Sequence, residues 1–487
     1  MAYTTVNKQT DHFRIKTYTG NGAYGNSITF DESGNMQPDI VWIKQRGGSS
    51  GHHLYDSVRG PDKRIRPDSN QVESTNVNML HSYDTNGFTV DDDSGINSNG
   101  GTFVAWNWLA GGAAPTKTYK VVVVSDSGNK YRFRDSADTT TFGSSAVTLD
   151  LQEGGTYTFD VSDSTLNSHP FVIGTAANSS EYSTGVTYKL DGVTKTYSEY
   201  TSGFSAATTR QLIITVAASA PALYYWCSAH SGMGGAINTN ATFGSSNFDG
   251  NIQSLVSANT TAGISIVRYT GDGSASATIG HGLGGLIDQI WQKDLTATDS
   301  WHIFSKDMQA GYNMYFNNDG AHQNPSDGSI DNFTTTTFGF NANGGNVNAV
   351  NENAIPCIAY CFRSITGFSS FGKYRGNNNS TNGPMVYTGF KPSFILVKKM
   401  DSTGYWVISD KNRNSRSDED GTNVSDRWLY PNVGDAEYDA SSYPVDLISM
   451  GFKFKHNGNY QNGNNDYIYA AFGQSVVGSN NVPATAR

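Results

Sequence analysis

Apolar residues in this chain fall into short blocks separated by clusters of Gly, Asn, Asp and Ser, as in Ile40-Val41-Trp42-Ile43 and Val121-Val122-Val123-Val124. The blocks are rich in Val, Ile, Tyr, Phe, Trp and Thr, which suit a pleated surface, while Gly and Asn accept the positive φ of tight turns. The pattern predicts many short strands and an all-β fold.

The blocks recur at long range. Tyr18-Thr19-Gly20-Asn21-Gly22 is echoed by Tyr269-Thr270-Gly271-Asp272-Gly273 and by Tyr374-Arg375-Gly376-Asn377-Asn378. Some twenty residues after each comes an apolar strand ending in Lys: Pro38 to Lys44, Leu286 to Lys293 and Pro392 to Lys398. A short turn leads each of these to a partner, at His53-Leu54-Tyr55-Asp56, Trp301 to Ser305 and Tyr405 to Asp410, which predicts three hairpins. Each copy continues through a Gly-Phe strand and closes on an aromatic one, at Phe103 to Trp108, Ile358 to Phe362 and Tyr467 to Phe472. Three diverged copies of a β-sandwich follow, at residues 1–114, 243–364 and 365–487, with a different piece at 115–242 inserted between repeats 1 and 2. That piece has strand-like runs at Tyr119 to Val124, Tyr131 to Arg134, Val147 to Leu151, Thr156 to Asp160, Gln211 to Val216 and Ala222 to Trp226, the spacing of a Greek-key sandwich.

The length of 487 residues agrees with several domains of about 100–200 residues each. A net charge of -10 without a basic run excludes wrapping of nucleic acid, which needs clustered Lys and Arg to release counterions. No apolar run of about 18 residues predicts a membrane insertion, and Met1 to Lys8 has no apolar signal-peptide core. Of the three cysteines, Cys357 and Cys361 would lie on one strand face about 13 Å apart, too far for a disulfide, and read as core hydrophobes.

Candidate chemistry concentrates in the inserted piece. Ser168-His169-Pro170-Phe171 and Tyr225-Trp226-Cys227-Ser228-Ala229-His230-Ser231-Gly232-Met233 supply two imidazoles, a thiolate and a thioether, the ligand set of a mononuclear blue-copper site. Elsewhere, Asp91-Asp92-Asp93-Ser94-Gly95 and Asp418-Glu419-Asp420-Gly421 offer oxygens but not the spacing of a calcium loop, and read as solvated turns. Gly280, Gly282 and Gly285 match G-x-G-x-x-G, yet a strand follows instead of a helix, so a β turn is expected. Trp301, Trp406 and Trp428 are candidates for stacking on sugars or for the core. No catalytic residues are assigned.

Two resemblances add to this reading. The repeats, through Pro38 to Lys44, Gly280-His281-Gly282-Leu283-Gly284 and Ala359 to Ser364 running on through Gly367 to Tyr374, resemble a domain of virion appendage proteins of marine tailed phages. This implies a non-enzymatic structural or adhesive protein, on a tail fibre or the capsid surface. Its implied partners are other virion proteins and a host receptor or glycan, within a homo-oligomer or symmetric assembly formed in the host cytoplasm. The inserted piece resembles a cupredoxin, the fold of plastocyanin and amicyanin. That resemblance implies a cupredoxin-like sandwich with copper, type 1-like, held by His169, Cys227, His230 and Met233. Pro170 departs from the family's Asn, which ties the two ligand loops together. The alternatives left open are a copper-binding redox protein and a metal-free sandwich end in which these residues only pack.

Overall fold

The structure is a computed structural model describing residues 4–112, 114–240, 242–342, 346–414 and 423–474; Asp418-Glu419-Asp420-Gly421 lies outside the described residues. The chain is all-β and forms two compact units. One combines the chain up to Ala110 with Ala258–Ser276 and the chain from Leu283 onward, and the other is Gly111–Ser257 with Ala277–Gly282.

The first unit holds the principal sheets of the three repeats, which share one strand order, while residues 243–257 and 277–282 of the second repeat fall in the other unit. In the first repeat Phe13–Thr19 pairs with Thr102–Trp108, then comes Ile40–Gln45, then His53–Asp56, all antiparallel. The second repeat orders Ile264–Thr270, Pro356–Phe362, Gln289–Asp294 and His302–Ser305 in the same way. The third does so with Ser369–Arg375, Asp466–Gln474, Lys391–Lys399 and Val407–Asp410. The three predicted hairpins are therefore formed. In the second repeat the strand starts at Gln289, later than the apolar run suggests, and Leu286 is exposed.

A smaller sheet covers one face of the principal sheet. In the first repeat it consists of Asn26–Thr29, Gly87–Val90 and Leu80–Asp84, and Ile28, Leu80 and Phe88 share a core with Val41, Ile43, Tyr55 and Phe103. Gly87 and Gly451 occupy matching places, where a Cβ would lie 2.1 Å from the Ile28 carbonyl oxygen and 1.9 Å from that of Val386. Only glycine lets these strands close.

The other face of each principal sheet turns toward the other repeats, which explains why Ile40-Val41-Trp42-Ile43 shows no polar alternation. Val41 and Ile43 fill their own sandwich, whereas Trp42 meets Trp106, Trp291 and Phe316 edge-on. Phe13 and Trp108 of the first repeat pack on Phe394 and Phe472 of the third.

Hydrogen bonds close the repeats in a cycle. Trp301 of repeat two donates its indole N–H to the Arg66 carbonyl of repeat one (2.7 Å), and Trp406 of repeat three donates to the Tyr315 carbonyl of repeat two (2.8 Å). His52, at the same place in repeat one, reaches the Tyr430 carbonyl of repeat three (3.1 Å). The backbone repeats the cycle: Glu73 N donates to Leu295 O, His322 N to Met400 O and Glu437 N to Arg46 O, at 2.7–2.8 Å. Within each set the donors run in one sense around the three repeats, the side chains to the repeat before and the backbone N–H groups to the repeat after, the signature of an internal pseudo-threefold.

Of the lysines that end the central strands, Lys398 reaches carbonyls of the second repeat, whereas Lys44 and Lys293 bond to the loops that follow their own strands. Lys44, Lys293 and Lys398 are fully buried, and each Nζ donates to nearby carbonyls, among them Gly48, Ala297 and Gly320. Burial lowers the pKa of Lys44 to about 8 and that of Lys398 to about 7.

The second unit is a two-sheet sandwich. One sheet contains Asn129–Phe133, Thr116–Ser125, Thr156–Asp160, Arg210–Thr215, Val186–Leu190 and Val193–Lys195 in that order. The other contains Leu149–Gln152, Gly235–Asn240, Leu223–Cys227, Phe171–Ala176 and Ser179–Glu181. Parallel pairs, Thr116–Ser125 with Thr156–Asp160 and Leu149–Gln152 with Gly235–Asn240, sit among antiparallel ones. This is a two-sheet β-sandwich, as the sequence predicts. Aromatic side chains from both sheets, including Tyr131, Phe159, Phe171 and Tyr225, fill its core.

Candidate metal centre

The site forms where two loops of the sandwich meet. Leu166 ends a short 3-10 turn whose start is capped by the Asp163 carboxylate, and its carbonyl accepts the His169 N–H at 2.7 Å. The Tyr131 hydroxyl holds the His169 carbonyl at 2.9 Å. Phe171 then enters a strand in which it stands opposite Cys227, the last residue of its own strand. Pairing thus brings His169 and Cys227, 58 residues apart, to the same end of the sheet.

Beyond Cys227 the chain turns back within a few residues. Gly232 takes a φ of +74°, and a Cβ on Gly234 would lie 1.7 Å from the Tyr225 carbonyl oxygen, so the loop depends on glycine at both positions. Met233 is buried in the same cluster as Cys227, and its carbonyl accepts the Tyr131 N–H at 2.9 Å. Although Pro170 replaces the expected Asn, the loops are tied by backbone: Ser228 N donates to the Pro170 carbonyl at 3.1 Å.

Three of the four predicted residues converge through their ligating atoms. His169 Nδ1 and His230 Nδ1 are 3.0 Å apart, and Cys227 Sγ lies 3.9 Å from the first and 3.7 Å from the second. A circle through atoms with these separations has a radius of about 2.1 Å, close to the roughly 2.0–2.3 Å of first-row metal bonds to imidazole and thiolate. The donor set of His169, Cys227 and His230 and its size fit a single ion. His169 and Cys227 are buried, and His230 is exposed. Burial first, then the neighbouring His230, lowers the pKa of His169, which keeps its lone pair free for a metal.

Asn129 was not among the sequence-predicted residues. Its side-chain amide sits 3.3 Å from His169 Nε2. The atom facing the ring is Nδ2, a donor; turned over, the amide would present Oδ1 to Nε2–H and leave Nδ1 free for an ion. A polar residue on a strand 40 positions away carries no motif, so only the fold reveals it.

The remaining candidates are structural. Asp93 caps the helix Ser94–Asn97, and the buried Asp91 accepts the Gly25 N–H. Gly282 and Gly284 adopt positive φ in a turn. Cys357 and Cys361 are free and buried, and Cys357 donates to Asp294 at 3.0 Å. Trp301 and Trp406 lie in the repeat junctions, while Trp428 lines a cavity described below.

Fold and site together define an all-β protein of three cyclically joined sandwich repeats that carries a separate sandwich with a His-Cys-His cluster. The chain belongs to the family described as a domain of unknown function, DUF7483, whose model matches residues 8–223 and 237–475. The loop bearing Cys227, His230 and Met233 falls between the two matched stretches. No curated protein and no solved structure matches the chain. Among the described residues, no helix is long and apolar enough to cross a membrane.

Proposed function

We propose that the chain is a structural and adhesive virion protein of a tailed phage, on a tail fibre or the capsid surface, that binds other virion proteins and a host surface. The observation that carries this reading is the cyclic closure of the repeats. Buried polar groups that would draw attention as catalytic candidates are occupied in holding the scaffold: His52, Lys44, Lys293 and Lys398 are bonded to backbone carbonyls at or beside the junctions. Asp56 and Asp410 pair with Arg59 and Arg413, and each also accepts a bond from another repeat, from Tyr360 and Trp106. Such use favours a rigid assembly element over a catalyst. Peptide mass spectrometry of purified virions, with labelling by antibody in the electron microscope, tests it; absence of the chain from purified particles refutes it.

A second reading concerns the inserted sandwich and rests on the triangle of His169, Cys227 and His230. These residues with Met233 would hold copper, which binds thiolate and imidazole in both oxidation states and supplies one-electron chemistry when present. The exposed His230 is the edge through which an electron would pass. Copper added to the full chain should give an intense visible thiolate-to-copper band that disappears in Cys227→Ser. A band that survives this substitution, or no band at all, refutes the assignment.

A further inference from the structure

The third repeat contains a cavity of about 380 Å³ walled by Tyr405, Trp428, Tyr430, Tyr438, Tyr443 and Tyr460. The rings stand in several orientations: Tyr405 and Tyr460 are stacked (22°), and Tyr430 is nearly perpendicular to Tyr460 (80°) and steep to Trp428 (71°). Tyr438 is 43% exposed, so apolar ring surface remains open to solvent in a concave place. The indole N–H of Trp428 is buried and has no hydrogen-bond partner in the protein.

The other two repeats show that the fold does not require these aromatics. Tyr405 precedes Trp406, and the residues preceding the equivalent His52 and Trp301 are Gly51 and Ser300. Tyr460 stands two residues before Asn462, whose carbonyl accepts from Asn378 N; Asn97 and Asn351 accept in the same way from Gly22 and Gly273, and two residues before them are Gly95 and Ala349. Trp428 pairs with Tyr438 across two short strands, where repeat one pairs Arg64 with Ser74 and repeat two pairs Asn313 with Gln323. Tyr430 corresponds to Arg66 and Tyr315, the other carbonyls of the cycle. At these five positions the third repeat is wholly aromatic, and the other two together contribute one aromatic residue, Tyr315. Ordinary packing of the repeat is thus satisfied by Gly, Ser, Ala, Arg, Asn or Gln, and the aromatic set answers another demand.

We infer that this cup binds a pyranose unit of a glycan, which deepens the adhesive half of the reading above and rests on it. Sugar C–H faces pack on aromatic rings, while tyrosine hydroxyls meet the sugar's own hydroxyls. Size permits the choice: 380 Å³ is the bulk volume of about a dozen waters, more than the roughly twelve bonded heavy atoms of a hexopyranose need. A quaternary ammonium group, the other ligand of aromatic cages, has only about five.

Saturation-transfer NMR on the full chain, with the methyl glycosides of glucose, galactose, mannose, fucose and N-acetylglucosamine as probes, tests the assignment. At least one should receive saturation mainly on the protons of one ring face. Binding should weaken at least tenfold in the double variant Tyr405→Ser/Tyr460→Ala, which carries residues that repeat two already accommodates, and in Tyr438→Ser, which carries the residue of repeat one. Both variants should unfold at the parent's urea midpoint. The inference is overturned by silence toward every glycoside, by unchanged binding in both variants, or by saturation of tetramethylammonium in place of the sugars. A chain found in virions yet silent toward all five glycosides overturns this inference alone, and a sugar-binding chain absent from virions overturns the virion reading alone.

Discussion

His52 makes the cyclic junction sensitive to acid in a way that can be worked through. Its ring is fully buried. Nδ1 accepts the Trp42 indole N–H at 2.9 Å, so the proton must reside on Nε2, which donates to the Tyr430 carbonyl at 3.1 Å. A second proton would have to point at another N–H. Burial accordingly lowers the pKa of His52 from 6.5 to about 3, with nearby Asp68 only partly opposing it. In the unfolded chain the same residue titrates near its ordinary value, so below about pH 6.5 the unfolded state binds a proton that the folded state refuses. Stability from this residue is therefore complete above that pH and declines by about 1.4 kcal/mol per unit as pH falls toward 3. The whole contribution is roughly 5 kcal/mol, of which about 2 kcal/mol is lost by about pH 5. His52→Gln keeps an acceptor and a donor but cannot be charged. Urea unfolding followed by tryptophan fluorescence should show the parent losing about 2 kcal/mol more than the variant between about pH 7 and pH 5. Because His53 and His456 are also depressed by burial, the difference between the two proteins is the informative quantity. Equal losses in both would refute the account of His52.

Three further outcomes are expected. Asn129→Ala should weaken copper binding by about 10–100-fold without abolishing the thiolate band, since it removes the group that orients His169 and no ligand; an unchanged affinity in a copper titration would remove Asn129 from the site. Gly451→Ala should destabilise the third repeat by more than about 1 kcal/mol in urea unfolding, because a Cβ cannot fit 1.9 Å from the Val386 oxygen. Trp301→Phe keeps the ring but removes the donor that crosses to the Arg66 carbonyl, which retains the Ser69 N–H at 3.2 Å, and should lower stability by about 0.5–1.5 kcal/mol and speed amide exchange on both sides of that junction.

The repeats were legible because their signals are local: alternating apolar blocks, Gly and Asn turns, and a Lys at the end of each central strand. The residues of the candidate metal centre were legible for a similar reason, since His169, Cys227 and His230, with Met233 after them, are chemically uncommon and ordered along the chain. Asn129 and Tyr131 were not, because an Asn and a Tyr on a strand look like any others until Asn129–Phe133 is placed beside the His169 loop. Pro170 pointed to a missing tie between the ligand loops, and the backbone bond from Ser228 makes one that no side-chain pattern foretells.

The cyclic closure escaped the sequence for a different physical reason. Each of its bonds joins a side chain or N–H to a main-chain carbonyl, an acceptor that every residue carries, and the donors at one equivalent place are His52, Trp301 and Trp406. Identity at those positions is therefore free to drift while geometry is kept, provided a ring N–H remains to reach across. The unbroken apolar run Ile40 to Ile43 was the one available hint, since a strand with two buried faces needs something on its second face. Once the cycle fixes which positions correspond, the repeats become an internal control on one another. Departures that all three tolerate are drift; the five aromatic positions of the third repeat, set against Gly51, Arg64, Arg66, Ser74 and Gly95 in the first, converge on one cavity, and drift gives no reason for that convergence.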